Sequence, residues 1–245
     1  MPELPRFGAL WVYLAASPLL GLTLTLCAYL AAQWIHERCR MSPLANPVAI
    51  AIALVAAVLT LSGMSYERYF AGAQFVHFLL GPATVALAIP LARQMPVLRR
   101  TFVPLSCALL AGSASAILAT ATLVLMLGGS RTLAVTAAPK SATTPIAMAV
   151  AERLGGVPAL TAVLVIGTGI VGAVCARFLF ERMGIASHRV RGFALGVASH
   201  GIGTARAFQV SPEMGAFAGL GMGLNGVLTA LLAPWLVPLA LRLFG

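Results

Sequence analysis

Eight apolar runs divide the chain, at about Gly8–Trp34, Asn46–Gly63, Phe75–Ala92, Thr101–Gly128, Leu133–Ala151, Val157–Phe180, Gly192–Phe208 and Gly215–Leu243. Short polar stretches separate them: His36 to Arg40, Tyr66-Glu67-Arg68, Arg93 to Arg100, Arg131, Glu152-Arg153, Glu181 to Arg191 and Ser211-Pro212-Glu213. Runs of this length suit helices crossing a hydrocarbon layer of about 30 Å. The pattern predicts an all-α integral membrane protein with about seven to eight hydrophobic segments, a single polytopic domain over residues 1–245. No Lys/Arg-rich start and no small-residue cleavage site accompany the first run, so it is expected to be a retained span.

The arginines orient the segments. Arg38/Arg40, Arg93/Arg99/Arg100 and Arg182/Arg189/Arg191 form the strongest positive loops, and positive-inside weighting places all three in the cytoplasm. The amino terminus then lies outside, the fourth run leads outward to Arg131, and Val157–Phe180 must start outside. Leu133–Ala151 must therefore enter and leave on the same side, or be a broken element. A re-entrant hairpin with Lys140 near its tip satisfies the count, because non-helical backbone is tolerated at membrane depth where protein or a wet cavity surrounds it. Whether Gly192–Phe208 crosses fully or is also re-entrant stays open at this point. Three segments are rich in small residues and broken by Pro or Gly: Leu80 to Thr84 with Pro90, the Lys140 segment, and Ser199 to Arg206. Ala83–Ile89 also loosely echoes Ala142–Met148. Interrupted segments at related positions point to a transporter of inverted-repeat architecture.

Composition agrees with a membrane location. The chain is 60% hydrophobic and 9% charged, whereas a soluble domain carries about 25% charge. The net charge of +10 resides at the ends of apolar runs and forms no basic face, so nucleic acid is not expected as a partner. Cys27, Cys39, Cys107 and Cys175 are widely spaced and read as small buried apolar residues. No metal-ligand spacing, nucleophile–base set or phosphate loop is present; no cofactor is expected and an enzyme is not indicated.

Candidate chemistry begins with Lys140, the only lysine, bracketed by Pro139 and Pro145. A cation at bilayer depth costs about 2.5–3.5 kcal/mol on insertion scales. All six carboxylates are glutamates in loops or at segment boundaries, and the chain has no aspartate. The ionisable groups read as intramembrane are instead Lys140, Arg206, His200 and His77. A carboxylate substrate can supply the missing countercharge. Lys140 and Arg206 are candidates to bind it, Arg206 through two parallel hydrogen bonds. Ser141, Thr143, Thr144 and Thr204 can bond its oxygens, Gly201 and Gly203 let backbone approach it, and His200 can carry a proton. Asn225 is the one amide deep in the last run. The alternatives are structural: Lys140 on helix-end carbonyls, Arg206 snorkelling to the interface, His200 and His77 packing, and hydroxyls bonding back to helix carbonyls.

These motifs resemble the LrgB/CidB family of bacterial membrane proteins, whose plant relative is a plastid glycolate/glycerate transporter. The matching text is Pro139 to Met148, Gly155-Gly156, Thr168 to Ala173, Arg191-Gly192 with Ala194-Leu195-Gly196, Ser199 to Ala207 and Gly215-Ala216-Phe217. Tyr69 to Gly72 and Gly81 to Leu91 also fit, so the likeness runs from about Leu44 to the end, residues 44–245. The resemblance implies a carrier of small monocarboxylates such as glycolate, glycerate, pyruvate or lactate in the bacterial inner membrane. It equally implies a holin/antiholin-like role in murein hydrolase export and cell lysis. The expected partners are a small carboxylate substrate, a smaller LrgA/CidA-like membrane protein, the lipid bilayer and further copies of the chain in a homo-oligomer.

Overall fold

A computed structural model of the protein describes residues 19–244 except 80, 81, 83, 84 and 87. Every regular element among them is a helix. The chain forms two compact units, Met1–Ala86 and Leu87–Gly245. In the first, α1 (Leu19–Arg38) packs on α2 (Pro47–Ser62) and α3 (Tyr66–Phe78). Asn46 starts α2 by accepting hydrogen bonds from the Val48 and Ala49 amides, and Gly63 ends it with a left-handed φ of 66°. Thr25 and the Tyr69 hydroxyl meet at 2.8 Å between α1 and α3.

The second unit contains α4 (Ala88–Arg93), α5 (Met95–Arg100), α6 (Phe102–Met126), α7 (Arg131–Ala137), α8 (Thr144–Arg153), α9 (Pro158–Arg182), α10 (His188–Val210) and α11 (Pro212–Phe244). Helices α1, α6, α9 and α11 are long and apolar enough to cross a membrane. The helices between the last three behave differently.

Helices α7 and α8 form a hairpin. Thr136, near the end of α7, accepts the Val157 amide on its hydroxyl at 3.0 Å, and its carbonyl accepts the Thr161 hydroxyl at 2.9 Å. A chain that ran straight on through α8 would carry residue 157 well over 15 Å from residue 136, at about 1.5 Å per helical residue. The chain instead enters through α7, turns at residues 138–143 and returns through α8. This is the re-entrant shape that the charge distribution requires of the Lys140 segment.

Helix α10 is a second hairpin. Its backbone leaves the helix at Ser199 and at His200, where φ is 40° and ψ is −132°. Beyond that point the chain folds back: a Cβ on Gly203 would lie 2.8 Å from the Leu195 carbonyl oxygen. At the two ends, Ser211 Oγ meets His188 Nδ1 at 3.0 Å and Arg189 pairs with Glu213 at 2.6 Å. Residues 23 apart in one continuous helix would be about 35 Å apart. Gly192–Phe208 thus turns back as a hairpin, the shape of a re-entrant segment, on a point that the sequence left open.

The directions of the elements follow from their contacts. Leu109 of α6 clusters with Phe193, Val197 and Phe217, whereas Ile117 and Ala121 cluster with Ala134, Val135, Ala233 and Val237. Ala176 and Phe180 of α9 pack with Leu195 and Met214, at the opposite end from Thr161 and Thr136. Helices α6 and α11 therefore run together and α9 runs against them. The α7–α8 hairpin enters at the Arg131 end of α9 and the α10 hairpin at its Arg182 end. A span followed by a hairpin occurs twice, as α6–α7–α8 and as α9–α10, in opposite orientations.

Two expectations fare differently. Cys27, Cys39, Cys107 and Cys175 are all exposed rather than buried in the protein. Cys27, Cys107 and Cys175 lie on apolar helices, whose outer surface accommodates a thiol as readily as a protein interior does, and Cys39 lies in the polar turn after α1, so low polarity did not imply burial. Leu80, Gly81, Ala83 and Thr84 of the Leu80–Thr84 segment, residues 83, 84 and 87 of the Ala83–Ile89 echo, and the His77 side chain lie outside the described residues.

Candidate functional site

The two hairpin tips meet. At the first, Pro139 and Pro145 lack the amide protons that would continue a helix, and residues 138–143 form successive turns, with the Lys140 amide on the Ala137 carbonyl and the Ala142 amide on the Pro139 carbonyl. Helix α8 restarts after Thr143, whose side chain makes no capping bond. At the second tip, a positive φ at a residue other than glycine is an uncommon conformation that costs about 1–3 kcal/mol and needs surrounding support. The imidazole of His200 supplies part of that support through a 2.9 Å contact between Nε2 and the Val165 carbonyl of α9.

Asn225, midway along α11, joins the tips. Its Nδ2 donates to the Ser141 carbonyl at 3.0 Å and to the Val197 carbonyl at 3.1 Å. Its Oδ1 accepts the Ser113 hydroxyl of α6 at 2.6 Å. One buried amide thus ties together both hairpins and two spans.

Beside this junction lies a cavity of about 1310 Å³ walled by α6, α9, the first arm of α10 and the Lys140 break. Near the tips its polar lining is Lys140, Ser141, Thr168 and Ser199. Thr101, Ser187 and Arg189 line its Arg182 end. Among the described residues no carboxylate belongs to the lining. Arg189 has its own counterion in Glu213. Among the described residues the Lys140 ammonium has no ion-pair or hydrogen-bond partner, and it is half-buried.

The residues singled out from the sequence divide into groups. Lys140 and Ser141 line the cavity. Asn225 is engaged with protein groups on both sides of its amide, a tie rather than an open ligand contact. His200 is buried against α9, and Thr204 donates to the His200 carbonyl at 2.8 Å. Gly201 is exposed, with only the Met222 sulfur within reach of an added Cβ. Thr143 and Thr144 open α8 outside the cavity lining. Arg206 lies on the returning arm of α10, where Nη1 donates to Gln209 Oε1 at 3.0 Å. The structure does not bring Arg206 to the cavity that Lys140 lines. Two polar residues near the hairpin tips went unranked in the sequence: Thr168, set between Gly167 and Gly169, and Ser199, which opens the Ser-His-Gly motif.

Opposed helix hairpins whose tips meet beside a cavity define a multi-pass membrane protein of the discontinuous-helix class. Sequence comparison gives the family: the chain belongs to the LrgB-like family, whose profile matches residues 25–239. The match begins well before Leu44, so the family pattern includes most of α1. Among its relatives, the protein YwbG of Bacillus subtilis (strain 168) is 36% identical over 219 residues, 89% of this chain and 97% of that protein. The holin-like protein CidB of Staphylococcus epidermidis (strain RP62A) is 31% identical over 218 residues, 89% and 95% of the two chains. The holin-like protein CidB of Staphylococcus aureus (strain Mu50) is 29% identical over 219 residues, again 89% and 95%. No solved structure matches the chain.

Proposed function

We propose that the protein is a bacterial inner-membrane carrier for small monocarboxylates of the glycolate, glycerate, pyruvate and lactate class. The observation that carries this reading is the Lys140 ammonium, which among the described residues has no partner and shares its cavity with no carboxylate, at the meeting point of two opposed hairpins. A lone cation in such a place favours a monoanion. Opposed broken helices are the usual frame for alternating access about a fixed midplane site. Positive-inside weighting makes the Arg182 end cytoplasmic, so the cavity, lined at that end by Ser187 and Arg189, belongs to an inward-open state. Lys140 binds the carboxylate with Ser141 beside it, while Asn225 positions the Lys140 turn against α10. His200 remains the candidate for proton coupling and acts through the α9 contact. Arg206, Thr143, Thr144, Gly201 and Thr204 belong to the moving hairpins in this reading rather than to the cavity.

The name carried by the CidB relatives favours a second reading, a holin-like regulator of cell lysis. Uptake of labelled glycolate and pyruvate into proteoliposomes separates the two. The carrier reading expects saturable uptake that falls at least tenfold in Lys140→Met, without leakage of an entrapped dye. Dye leakage with no dependence on Lys140 or on the acid supports the holin-like reading instead. The proposed protein partners are an LrgA/CidA-like membrane protein and further copies of the chain. Uptake by this chain reconstituted alone, compared with uptake after adding the smaller protein, shows whether the partner is required.

A further inference from the structure

Ser199 is 1% exposed, and its hydroxyl has no hydrogen-bond partner in the protein. Leaving a buried hydroxyl unpaired costs about 1–3 kcal/mol. Other hydroxyls of the second unit avoid that cost locally: Thr120, Thr136, Thr161 and Thr204 each donate to the carbonyl four residues earlier. Ser199 does not, although it sits at the tip of the α10 hairpin on the wall of the cavity that Lys140 lines. Helix α9 is shaped around it. A Cβ on Gly172 would lie 1.8 Å from Ser199 Oγ and 3.0 Å from its Cβ, so any side chain at residue 172 would displace the hydroxyl.

The charge of the site separates the two ends of a ligand. Lys140 belongs to the first hairpin and is the cavity's one cation without a counterion among the described residues. Ser199 and Thr168, lining residues of the second hairpin and of α9, carry uncharged hydroxyls, that of Ser199 buried against Gly172. A carboxylate goes to the ammonium, where the charge-assisted bond is about twice as strong as a neutral one. What remains for Ser199 is a second, uncharged oxygen.

We propose that Ser199 is a ligand-contacting residue that reads a second oxygen of the bound acid, so that the ligand bridges the two hairpins. This rests on the carrier reading above and assigns to Ser199 the hydroxyl or keto oxygen that glycolate, glycerate, pyruvate and lactate share. Equilibrium binding of glycolate and of acetate, which lacks that oxygen, to the purified full chain tests it. The wild type is expected to bind glycolate more tightly than acetate. Ser199→Ala is expected to weaken glycolate binding roughly tenfold, the worth of one good hydrogen bond, and to leave acetate binding unchanged. Its melting temperature is expected to be no lower, because the substitution removes an unpaired buried group. Gly172→Ala, which displaces the hydroxyl without deleting it, is expected to give the same selective loss. Equal wild-type affinities for the two acids, or a Ser199→Ala change that is absent or equal for both, overturns the proposal and leaves the carrier reading standing. Binding of neither acid by the wild type overturns both.

Discussion

Asn225 shows how much one side chain can organise at membrane depth. Polar groups there find partners inside the protein or remain costly. Its amide satisfies carbonyls on two different hairpins and accepts a hydroxyl from a third element. Asn225→Ala therefore leaves the Ser141 and Val197 carbonyls without that donor, and Ser113 without its acceptor. At about 1–3 kcal/mol for each buried group left unmade, the expected loss is at least about 2 kcal/mol, read as a lowered melting temperature in detergent. A melting curve matching the wild type would mean that the amide does not hold the tips together. Lys140 and Ser199 are the opposite case, polar groups that the protein leaves open. The proposed binding site rests on that contrast rather than on charge alone, since Arg206, the other cation predicted to bind a ligand, bonds to Gln209 on its own arm.

At the scale of elements, the first hairpin was legible before the structure and the second was not. Lys140 announced the first through two prolines, an isolated charge and a span count that failed unless the segment turned back. The second break contains no proline. Its cause is a backbone reversal at Ser199 and His200, stabilised by contacts with α9 that lie far away in sequence. The glycines of Ser199–Arg206 mark an interrupted segment, but they do not separate a hairpin from a kinked span. Ser199 was missed for the same reason, because an unpaired hydroxyl is recognised only once its surroundings are known. What joins the second hairpin to α11 is close backbone approach, the usual means of packing helices in lipid. A Cβ on Gly196 would lie 2.0 Å from the Ala218 carbonyl oxygen, and neither backbone can yield without parting the helices. Gly196→Val is expected to cost about 1–3 kcal/mol of stability, as overpacking does elsewhere. Gly223→Val serves as its control on α11, where an added Cβ meets nothing within 4 Å.

At the scale of the whole molecule, what matters is which side of the bilayer each hairpin enters from. Within the second unit, α6 and α11 run one way and α9 the other, so hairpins rooted at opposite ends of α9 must open to opposite faces. A hairpin also differs from a span in a way that labelling detects. With the four native cysteines replaced by alanine, single cysteines at Thr132 and Arg153 are expected to react with a membrane-impermeant maleimide from the same face. Those at Met183 and Val210 are expected to react from the other. All four positions are exposed. Were Leu133–Ala151 a full span, residues 132 and 153 would label from opposite faces; were α10 a full span, 183 and 210 would do so. The arginine distribution adds that Met183 and Val210 face the cytoplasm, because the end they share carries Arg99, Arg100, Arg182, Arg189 and Arg191 against Arg131, Arg153 and Arg242 at the other. If the pairs label as expected, two mirrored entries converge on one tie at Asn225, and motion of either hairpin must be transmitted to the other through the carbonyls of Ser141 and Val197.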